Sequence, residues 1–366
     1  MTELEALVTL NLLPNVGPVR VRRLLDNLGS PQAILQATTS QLLTTPGIGD
    51  EIALHINSWS DLTDVGGELQ LARQMGATIL TAADPHYPEP LRTIYDSPIV
   101  LYTLGQLEPA DRHAVSIVGS RRTTTYGQNV AKKFSFQLAR AGMTIVSGLA
   151  RGIDTLAHEA AIAAKGRTVA VLGSGLAQLY PPENRALADL IASGHGAVVS
   201  EFPINTAPDR QTFPQRNRIV AAWSQATLVV EAPKKSGSLI TANLANEYNR
   251  SVFAIPGPID RPTAQGCNTL IQNGARLATD PADILDDIGG LFSSQELQPE
   301  PLKPTLPPLT GDEKAIFEAL GDEETPIDQV VSRTGLTTST VSTTLLRLQM
   351  KRLVKQLPGS RFVKLL

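Results

Sequence analysis

The sequence contains an apolar run that ends in a glycine turn with two arginines, Ala114-Val115-Ser116-Ile117-Val118-Gly119-Ser120-Arg121-Arg122. Three more short runs rich in Val, Ile and Leu follow and also end in small or charged residues, at Thr144–Gly148, Val169–Gly175 and Leu228–Glu231. Strands separated by helix-length segments predict a parallel sheet with crossover helices. We therefore predict an α/β protein with an extended Rossmann-like, doubly wound and mostly parallel sheet.

The turns that follow these strands are predicted to form a binding edge. In a doubly wound sheet the carboxyl ends of the strands lie together, and ligands collect there. Small residues at that edge leave backbone N–H groups exposed near helix N-termini, which favours phosphate and other anions. The pattern predicts a phosphorylated ligand and leaves open whether it is a nucleotide or a polymer.

Composition excludes several classes of protein. With 366 residues the chain is long enough for two or three domains. A single cysteine, Cys267, excludes a disulfide framework and a cysteine-based zinc site. No apolar stretch reaches the roughly 18 residues of a membrane span, and no basic-then-apolar leader precedes the first predicted helix. We expect a soluble, cytoplasmic protein without membrane contact.

Charge is distributed unevenly along the chain. The formal net charge is −3, yet residues 114–277 contain 17 Lys and Arg against 9 Asp and Glu. This middle part therefore carries +8, and the remainder carries −11. A basic middle between acidic flanks predicts a positively charged face on the central domain, which suits a nucleic-acid partner.

By pattern the chain divides into three domains and a linker, at residues 1–75, 76–288, 289–311 and 312–366. The first part has short predicted helices, and its turn Pro46-Gly47-Ile48-Gly49 resembles that of helix-hairpin-helix (SAM-like) domains. Such a turn can present backbone N–H groups to a DNA phosphate. The alternative is a small helical domain whose glycines serve only as tight turns.

The C-terminal part is predicted to be a winged helix. The preceding linker, 289–311, holds five prolines and no periodic apolar pattern. Beyond it, Asp312–Leu320 and Ile327–Thr334 are helical by pattern, a third helix carries Val341 and Leu345, and a hairpin follows with its turn at Pro358 and Gly359. Winged helices bind DNA or dock proteins, and the Ser/Thr-rich third helix leaves both readings open.

The motifs of common nucleotide-dependent enzymes are incomplete or missing. The turn Gly173-Ser174-Gly175 begins like a dinucleotide fingerprint but lacks its third glycine, and the chain has no P-loop. Asp154 and His158 share one helix face, where they could form an acid–base pair or a structural contact. None of the five histidines has metal-ligand spacing with another. We therefore expect no catalysis, no cofactor and no metal.

One segment suits a single nucleic-acid strand. Arg210, Phe213, Arg216 and Arg218 fall within nine residues. An aromatic ring flanked by arginines can stack on a base while the guanidinium groups hold phosphates. The alternative for Phe213, which precedes a proline, is a hydrophobic staple at a helix start. We predict these nucleic-acid-binding residues: Gly119, Ser120, Arg121, Arg122, Ser147, Gly148, Arg210, Phe213, Arg216, Asn217, Arg218, Lys235, Gly237 and Ser238.

A set of ordered motifs spans about residues 87–277: Val118–Arg121, Ser147–Asp154 with Ala157-His158, Ala170–Gly175 with Tyr180-Pro181 and Asn184, Ser200–Pro203, Phe213–Ile219, Ser236–Ala242, and Pro256-Gly257 with Gly266, Asn268, Leu270 and Ile271. This set closely resembles the bacterial DNA-processing family known as DprA or Smf. The resemblance implies a non-enzymatic protein that binds single-stranded DNA, protects incoming strands in natural transformation and loads the RecA recombinase past single-strand-binding protein. It implies that Arg121 and Phe213 contact DNA, that Arg210 replaces a lysine common in relatives, and that Pro182 replaces another.

The same resemblance implies a homodimer. Leu270 and Ile271 are adjacent, so on a helix one can face the core while the other faces a partner; both can also be core residues. A different class, the lysine-decarboxylase-like phosphoribohydrolases, uses a similar sheet. That class carries a glutamate after its glycine turn, which this chain lacks after Ser236-Gly237-Ser238.

Overall fold

A computed structural model describes residues 1–288, 309, 311–320, 325–351, 353–357 and 359–364. By their contacts the residues form two compact units, Met1–Leu297 and Gln298–Leu366. Most of the predicted linker, 289–311, lies outside the described residues. We describe each unit by itself.

The first unit begins with seven helices, which the sequence predicts as a helical domain. Gly17 and Gly49 are extended residues directly before the second and fifth helices, as the helix-hairpin-helix pattern predicts, and Gly47 has a φ of +87° that favours glycine. The helices are α1 Glu3–Leu12, α2 Pro18–Leu28, α3 Pro31–Gln36, α4 Thr39–Leu43, α5 Asp50–Asn57, α6 Trp59–Leu62 and α7 Val65–Gln74.

A sheet of nine strands follows, in the order β1-β2-β6-β5-β4-β3-β7-β8-β9. Strands β3 to β9 pair in parallel, whereas β2 is antiparallel to β6 and β1 is antiparallel to β2. This confirms the doubly wound, mostly parallel sheet. The strands are β1 Thr78–Leu80, β2 Leu101–Gly105, β3 Ala114–Val118, β4 Thr144–Ser147, β5 Thr168–Val171, β6 Gly196–Ser200, β7 Ala226–Val229, β8 Ser251–Ala254 and β9 Arg276–Leu277.

Helices lie against the sheet, and the central strands β3 to β7 are buried at every residue. Burial of both faces explains why these strands are uniformly apolar or small rather than alternating. The helices of this part are α8 Glu89–Arg92, α9 Thr125–Arg140, α10 Ile153–Ala163, α11 Arg185–Leu190, α12 Thr212–Trp223, α13 Gly237–Glu247, α14 Gln265–Gln272 and α15 Pro281–Asp287.

The N-terminal helices share a core with the sheet. One hydrophobic cluster contains Leu10 and Ile34 from these helices together with Tyr102 and Leu172 from the sheet domain. Polar contacts cross the same boundary, because Glu68 Oε1 accepts a hydrogen bond from the backbone N–H of Ile204 at 2.8 Å. The predicted boundary at residue 75 therefore follows the end of α7 but lies within one compact unit.

The second unit has the elements of the predicted winged helix. Gly335 ends the middle helix with a φ of 67°, a left-handed conformation that favours glycine. Val341, Leu345 and Phe362 lie in its core. Its elements are α16 Gly311–Ala319, β10 Thr325–Pro326, α17 Ile327–Thr334, α18 Thr338–Met350, β11 Val354–Leu357 and β12 Arg361–Lys364, with β12 between β10 and β11.

Candidate nucleic-acid interface

The predicted binding turns meet at the carboxyl edge of the parallel strands. The chain starts the parallel sheet at β3, builds outward through β6 and returns to β7 on the other side, so the strand order reverses between β3 and β7. Such a reversal opens a crevice at the strand ends. A Cβ on Gly119, which follows β3, would lie 2.6 Å from Ile153 Cγ1 and 3.1 Å from the Glu231 carbonyl oxygen. Only glycine fits this close approach.

The turn after β3 presents two exposed arginines. The Ser120 hydroxyl donates to the Arg122 carbonyl oxygen at 2.7 Å and accepts from the Arg122 N–H at 3.0 Å, which fixes the turn. Arg121 and Arg122 are exposed, while Ser120 is buried. The Arg121 guanidinium lies over the Phe213 ring, 5.4 Å from its centroid, at a distance typical of a cation–π contact.

Phe213 lies at this edge, partly exposed, in the first turn of α12. The Thr212 hydroxyl donates to the Gly173 carbonyl oxygen at 2.5 Å and ties the helix start to the turn after β5. A Cβ on Gly173 would lie 2.6 Å from Phe213 Cδ1, so the ring lies directly on that glycine. The Phe213 ring also lies beside the Tyr180 ring, with 5.8 Å between the two ring centroids and 53° between the ring planes. Arg210, two residues before α12, is exposed.

Arg151 and Tyr180 lie beside Arg121 and Phe213, and neither is among the predicted binding residues. The Arg151 guanidinium lies 5.7 Å from the Tyr180 ring centroid and also pairs with the Glu183 carboxylate. Arg121, Gly148, Ala150, Arg151, Tyr180, Phe213 and Arg216 line one small surface cavity. A signal was present in the sequence, since both residues follow predicted strand ends.

Arg216 is not exposed, so the prediction that its side chain faces a nucleic-acid strand is wrong. Its side chain is buried, and Nη1 donates to the carbonyl oxygens of Gly148, at 2.5 Å, and Val171. Burial lowers the pKa of Arg216 to about 10, against the opposing effect of the Asp154 carboxylate. A Cβ on Gly148 would lie 2.5 Å from the guanidinium carbon. Arg216 thus holds strand ends together from beneath the edge.

Arg218 is buried as well, and its prediction is wrong for the same reason. Its guanidinium pairs with the Glu201 carboxylate, and its Nε lies 3.7 Å from Asp96 Oδ2. The Tyr248 hydroxyl donates to the same Asp96 carboxylate at 2.9 Å. Burial raises the pKa of Glu201, while the positive charge of Arg218 opposes that rise. The charged groups of this cluster are buried and contact one another, so none of them is presented to a ligand.

Ser147 and Gly148 do not offer free polar groups to a ligand either. Ser147 is fully buried and donates from its hydroxyl to the Ile117 carbonyl oxygen at 2.6 Å. The Gly148 N–H donates to Asp154 Oδ2 at 3.2 Å. These internal hydrogen bonds, which join groups distant in sequence, occupy the polar groups at the end of β4.

Asp154 and His158 serve separate internal contacts. Asp154 Oδ2 also accepts from the Ala150 N–H at 3.4 Å, and His158 Nδ1 lies 2.6 Å from the Thr168 hydroxyl. Burial lowers the pKa of His158 to about 3, with the charge of Arg216 acting in the same direction. The two side chains bond to different partners rather than to each other, so the geometry fits the structural interpretation of this pair.

The turn after β7 contributes exposed lysines at the start of α13. Lys235 and Gly237 are exposed, and so is Lys234. Ser236 caps the helix, while Ser238 is buried and its hydroxyl lies 2.7 Å from that of Ser236. The remaining predicted residue, Asn217, is partly buried and donates to the Gly237 carbonyl oxygen at 3.4 Å.

Glu231, at the end of β7, is buried and fully engaged. Its Oε1 accepts from the Thr124 hydroxyl at 2.6 Å, and its Oε2 accepts from the Thr124 N–H at 3.0 Å. These bonds fix the start of α9.

Among the described residues no group of three or more His, Cys, Asp or Glu could hold a metal ion. Over the same residues, no helix is both long and apolar enough to span a bilayer.

The predicted dimer residues differ in burial. Leu270 is 8% exposed and packs in the core, whereas Ile271 is partly buried at the margin of the same cluster. Leu270 is therefore a core residue, which corrects its assignment to an interface. Ile271 is the member of the pair that could face a partner.

These features define a Rossmann-type α/β protein whose strand ends gather guanidinium groups and aromatic rings. The chain belongs to the DNA recombination-mediator protein A (DprA/Smf) family, whose model matches residues 78–289. The DprA winged helix domain matches residues 300–360, and the SAM-like helix-hairpin-helix tandem matches residues 7–56. These matches confirm the resemblance and the three kinds of domain that the sequence predicts.

Relatives match over most of the chain. Protein Smf of Synechocystis is 37% identical over 95% of both chains, and Protein Smf of Escherichia coli is 40% identical over 77% of this chain and 76% of its own. The crystal structure of DprA from Streptococcus pneumoniae is 33% identical with a TM-score of 0.68, covering 78% of this chain and 98% of that one. A Helicobacter pylori DprA structure, described by its single-stranded DNA binding mode, is 28% identical with a TM-score of 0.53, covering 59% and 97%.

Proposed function

We propose that this protein binds single-stranded DNA at the carboxyl edge of its sheet and acts without catalysis. The observation that carries the proposal is the contact between the Arg121 guanidinium and the partly exposed Phe213 ring, with exposed Arg210 on the same segment as that ring. Aromatic rings stack on any base, and guanidinium groups hold the phosphates between bases. The H. pylori relative, whose structure concerns single-stranded DNA binding, supports the same ligand here.

The test is a titration of oligo-dT with the Arg121→Ala/Arg210→Ala double variant at two or more salt concentrations. Each arginine that neutralises a phosphate contributes about 0.7 to the log–log salt slope on a single strand. The double variant should therefore bind more weakly, with a slope lower by about 1.4. Arg140→Ala is the matched control, because Arg140 is an exposed arginine at the end of α9, which leads into the opposite end of β4. A folded double variant that binds like the wild type would refute the site.

The non-catalytic part of the proposal rests on the engaged carboxylates. Glu231 and Asp154 are both buried, and their carboxylates accept hydrogen bonds from backbone N–H groups and from a hydroxyl. A phosphoribohydrolase would release adenine from AMP. The assay compares turnover of AMP and ATP by the purified wild-type protein and by the Glu231→Ala variant. Turnover by the wild type alone would overturn the non-catalytic part of the proposal and favour the hydrolase alternative.

We further propose that this protein protects incoming strands in DNA uptake and recombination and that, as a homodimer, it loads RecA onto them. Two sites joined in a dimer would bind one strand with avidity beyond either site alone. The assay is RecA ATPase on strands coated with single-strand-binding protein. We expect the wild-type protein to shorten the lag and the Arg121→Ala/Arg210→Ala variant to leave it unchanged. An equal effect of both proteins would contradict loading through this site.

A further inference from the structure

We propose that Tyr180 and Arg151 form a second nucleotide subsite beside Phe213, so that this edge takes two consecutive nucleotides in an unstacked arrangement. The inference rests on the proposed function and adds residues to its site. Its basis is one continuous row of side chains: the Arg121 guanidinium, the Phe213 ring, the Tyr180 ring and the Arg151 guanidinium.

The two halves of this row contain the same kinds of group, one aromatic ring and one guanidinium group each. Each ring has the other ring on one side and a guanidinium group within about 6 Å of its centroid, the distance range of cation–π attraction. Tyr180 is partly exposed, as Phe213 is, so each ring has surface that a base can cover. A ring covered by a base and flanked by a cation is the arrangement that single-strand sites repeat along a strand. The structure therefore offers two such units rather than one.

The tilt between the rings selects the kind of strand. The planes of Phe213 and Tyr180 differ by 53° at 5.8 Å between centroids, so bases stacked on the two rings are not parallel to each other. Neighbouring bases of a duplex are stacked and parallel, and a duplex would have to give up that stacking. A single strand can splay its bases apart at small cost. The pair of rings thus favours single-stranded over double-stranded DNA.

Arg151 is held by an exchangeable partner. Its ion pair with Glu183 is exposed, with 51% and 52% of the two side chains accessible to solvent. Exposed pairs of this kind contribute little stability and are screened by salt. A phosphate beside the Tyr180 subsite can replace the Glu183 carboxylate on the guanidinium. Glu183 then acts as a competitor that lowers affinity for DNA.

The experiment compares oligo-dT with an oligomer of the same length in which every base is missing. Tyr180→Ala should weaken binding of oligo-dT by about 5- to 150-fold, the range for one lost base–aromatic stack. It should leave binding of the abasic strand within about twofold, since that strand has no bases to stack. Tyr180→Phe keeps the ring and should bind oligo-dT like the wild type. Tyr95→Ala, which removes another exposed tyrosine ring, is the matched control.

Arg151 and Glu183 are tested through the salt dependence. Arg151→Ala should lower the log–log slope by about 0.7, and Glu183→Gln should raise the affinity at low salt by freeing Arg151. Unchanged slope in the first variant, or unchanged affinity in the second, would overturn the role of this pair.

The failure of this subsite is distinguishable from failure of the proposed function. Wild-type binding by Tyr180→Ala, in a titration where Phe213→Ala is weakened, overturns the second subsite alone. An equal loss on the normal and abasic strands overturns it too, because the ring then acts only on the protein's own structure. Wild-type binding by Phe213→Ala and by the Arg121→Ala/Arg210→Ala variant refutes the proposed function itself.

Discussion

Replacing Arg218 with methionine should destabilise the first unit rather than weaken DNA binding. The side chains of Arg218, Glu201 and Asp96 are 10%, 9% and 12% exposed, so the charges lie in a low-dielectric surrounding. Removing one partner of a buried pair leaves the other charge uncompensated, at a cost of about 3–5 kcal/mol. One Glu201 oxygen, Oε1, already has no hydrogen-bond partner among the described residues. For a domain of this size class the cost corresponds to a fall in Tm of about 6–20 °C.

The loss of stability in the Arg218→Met variant should grow as the pH rises. Burial raises the pKa of Glu201, and Arg218 opposes that rise, so the variant should have a still higher Glu201 pKa. A carboxyl whose pKa is higher in the folded than in the unfolded state favours folding below its unfolded pKa. That stability is lost as the pH rises through the folded value. The variant should therefore be closest to wild-type stability near pH 5 and furthest from it near pH 8.

Thermal unfolding of wild type and variant at both pH values is the assay. The double variant Arg218→Met/Glu201→Gln should regain a large part of the loss at pH 8, because it removes the orphaned carboxylate. An Arg218→Met protein with wild-type Tm at pH 8 and a salt slope lower by about 0.7 would refute the reasoning, since Arg218 would then be reaching phosphate.

Three further experiments test other parts of the structure. Gly173→Ala places a Cβ 2.6 Å from Phe213 Cδ1, so the displaced ring should weaken oligo-dT binding several-fold without changing the salt slope; wild-type affinity would contradict the role of the ring. Ile271→Glu should give a folded monomer in sedimentation velocity and Leu270→Glu an unfolded chain, whereas a wild type that sediments as a monomer at micromolar concentration would exclude the dimer. Burial raises the pKa of the Cys267 thiol to about 12, so it should react with a thiol reagent at pH 8 only after unfolding in guanidinium; fast reaction of the folded protein would contradict its burial.

The sheet was predictable because its signal is local. Each central strand is buried on both faces, so its sequence is a short continuous apolar run such as Ala114–Val118. The glycine turns then mark the carboxyl ends by themselves. The N-terminal helices were equally predictable, since Gly17 and Gly49 stand directly before helix starts. Local rules determine these elements, and tertiary contacts agree with them.

The residues of the site were less predictable, and α12 shows why. At 100° per residue, Arg216 and Arg218 lie about 200° apart around the helix, so both cannot face the same strand as Phe213. That geometry was available from spacing alone. Their partners were not, because Glu201 and Asp96 come from other segments of the chain. Only the tertiary fold shows which charged side chains are neutralised inside.

The same burial changes what the charge count means for binding. Arg216 and Arg218 contribute to the excess of +8 in residues 114–277, yet both side chains are buried. Arg167 contributes too, but it pairs with two carboxylates that lie outside that range. The exposed cations of the strand-end turns and of the segment before α12 are Arg121, Arg122, Arg151, Arg210, Lys234 and Lys235. Six cations limit the salt slope at this edge to about 4.2. For the proposed site we therefore expect stacking on the Phe213 and Tyr180 rings, which salt does not screen, to supply much of the binding free energy.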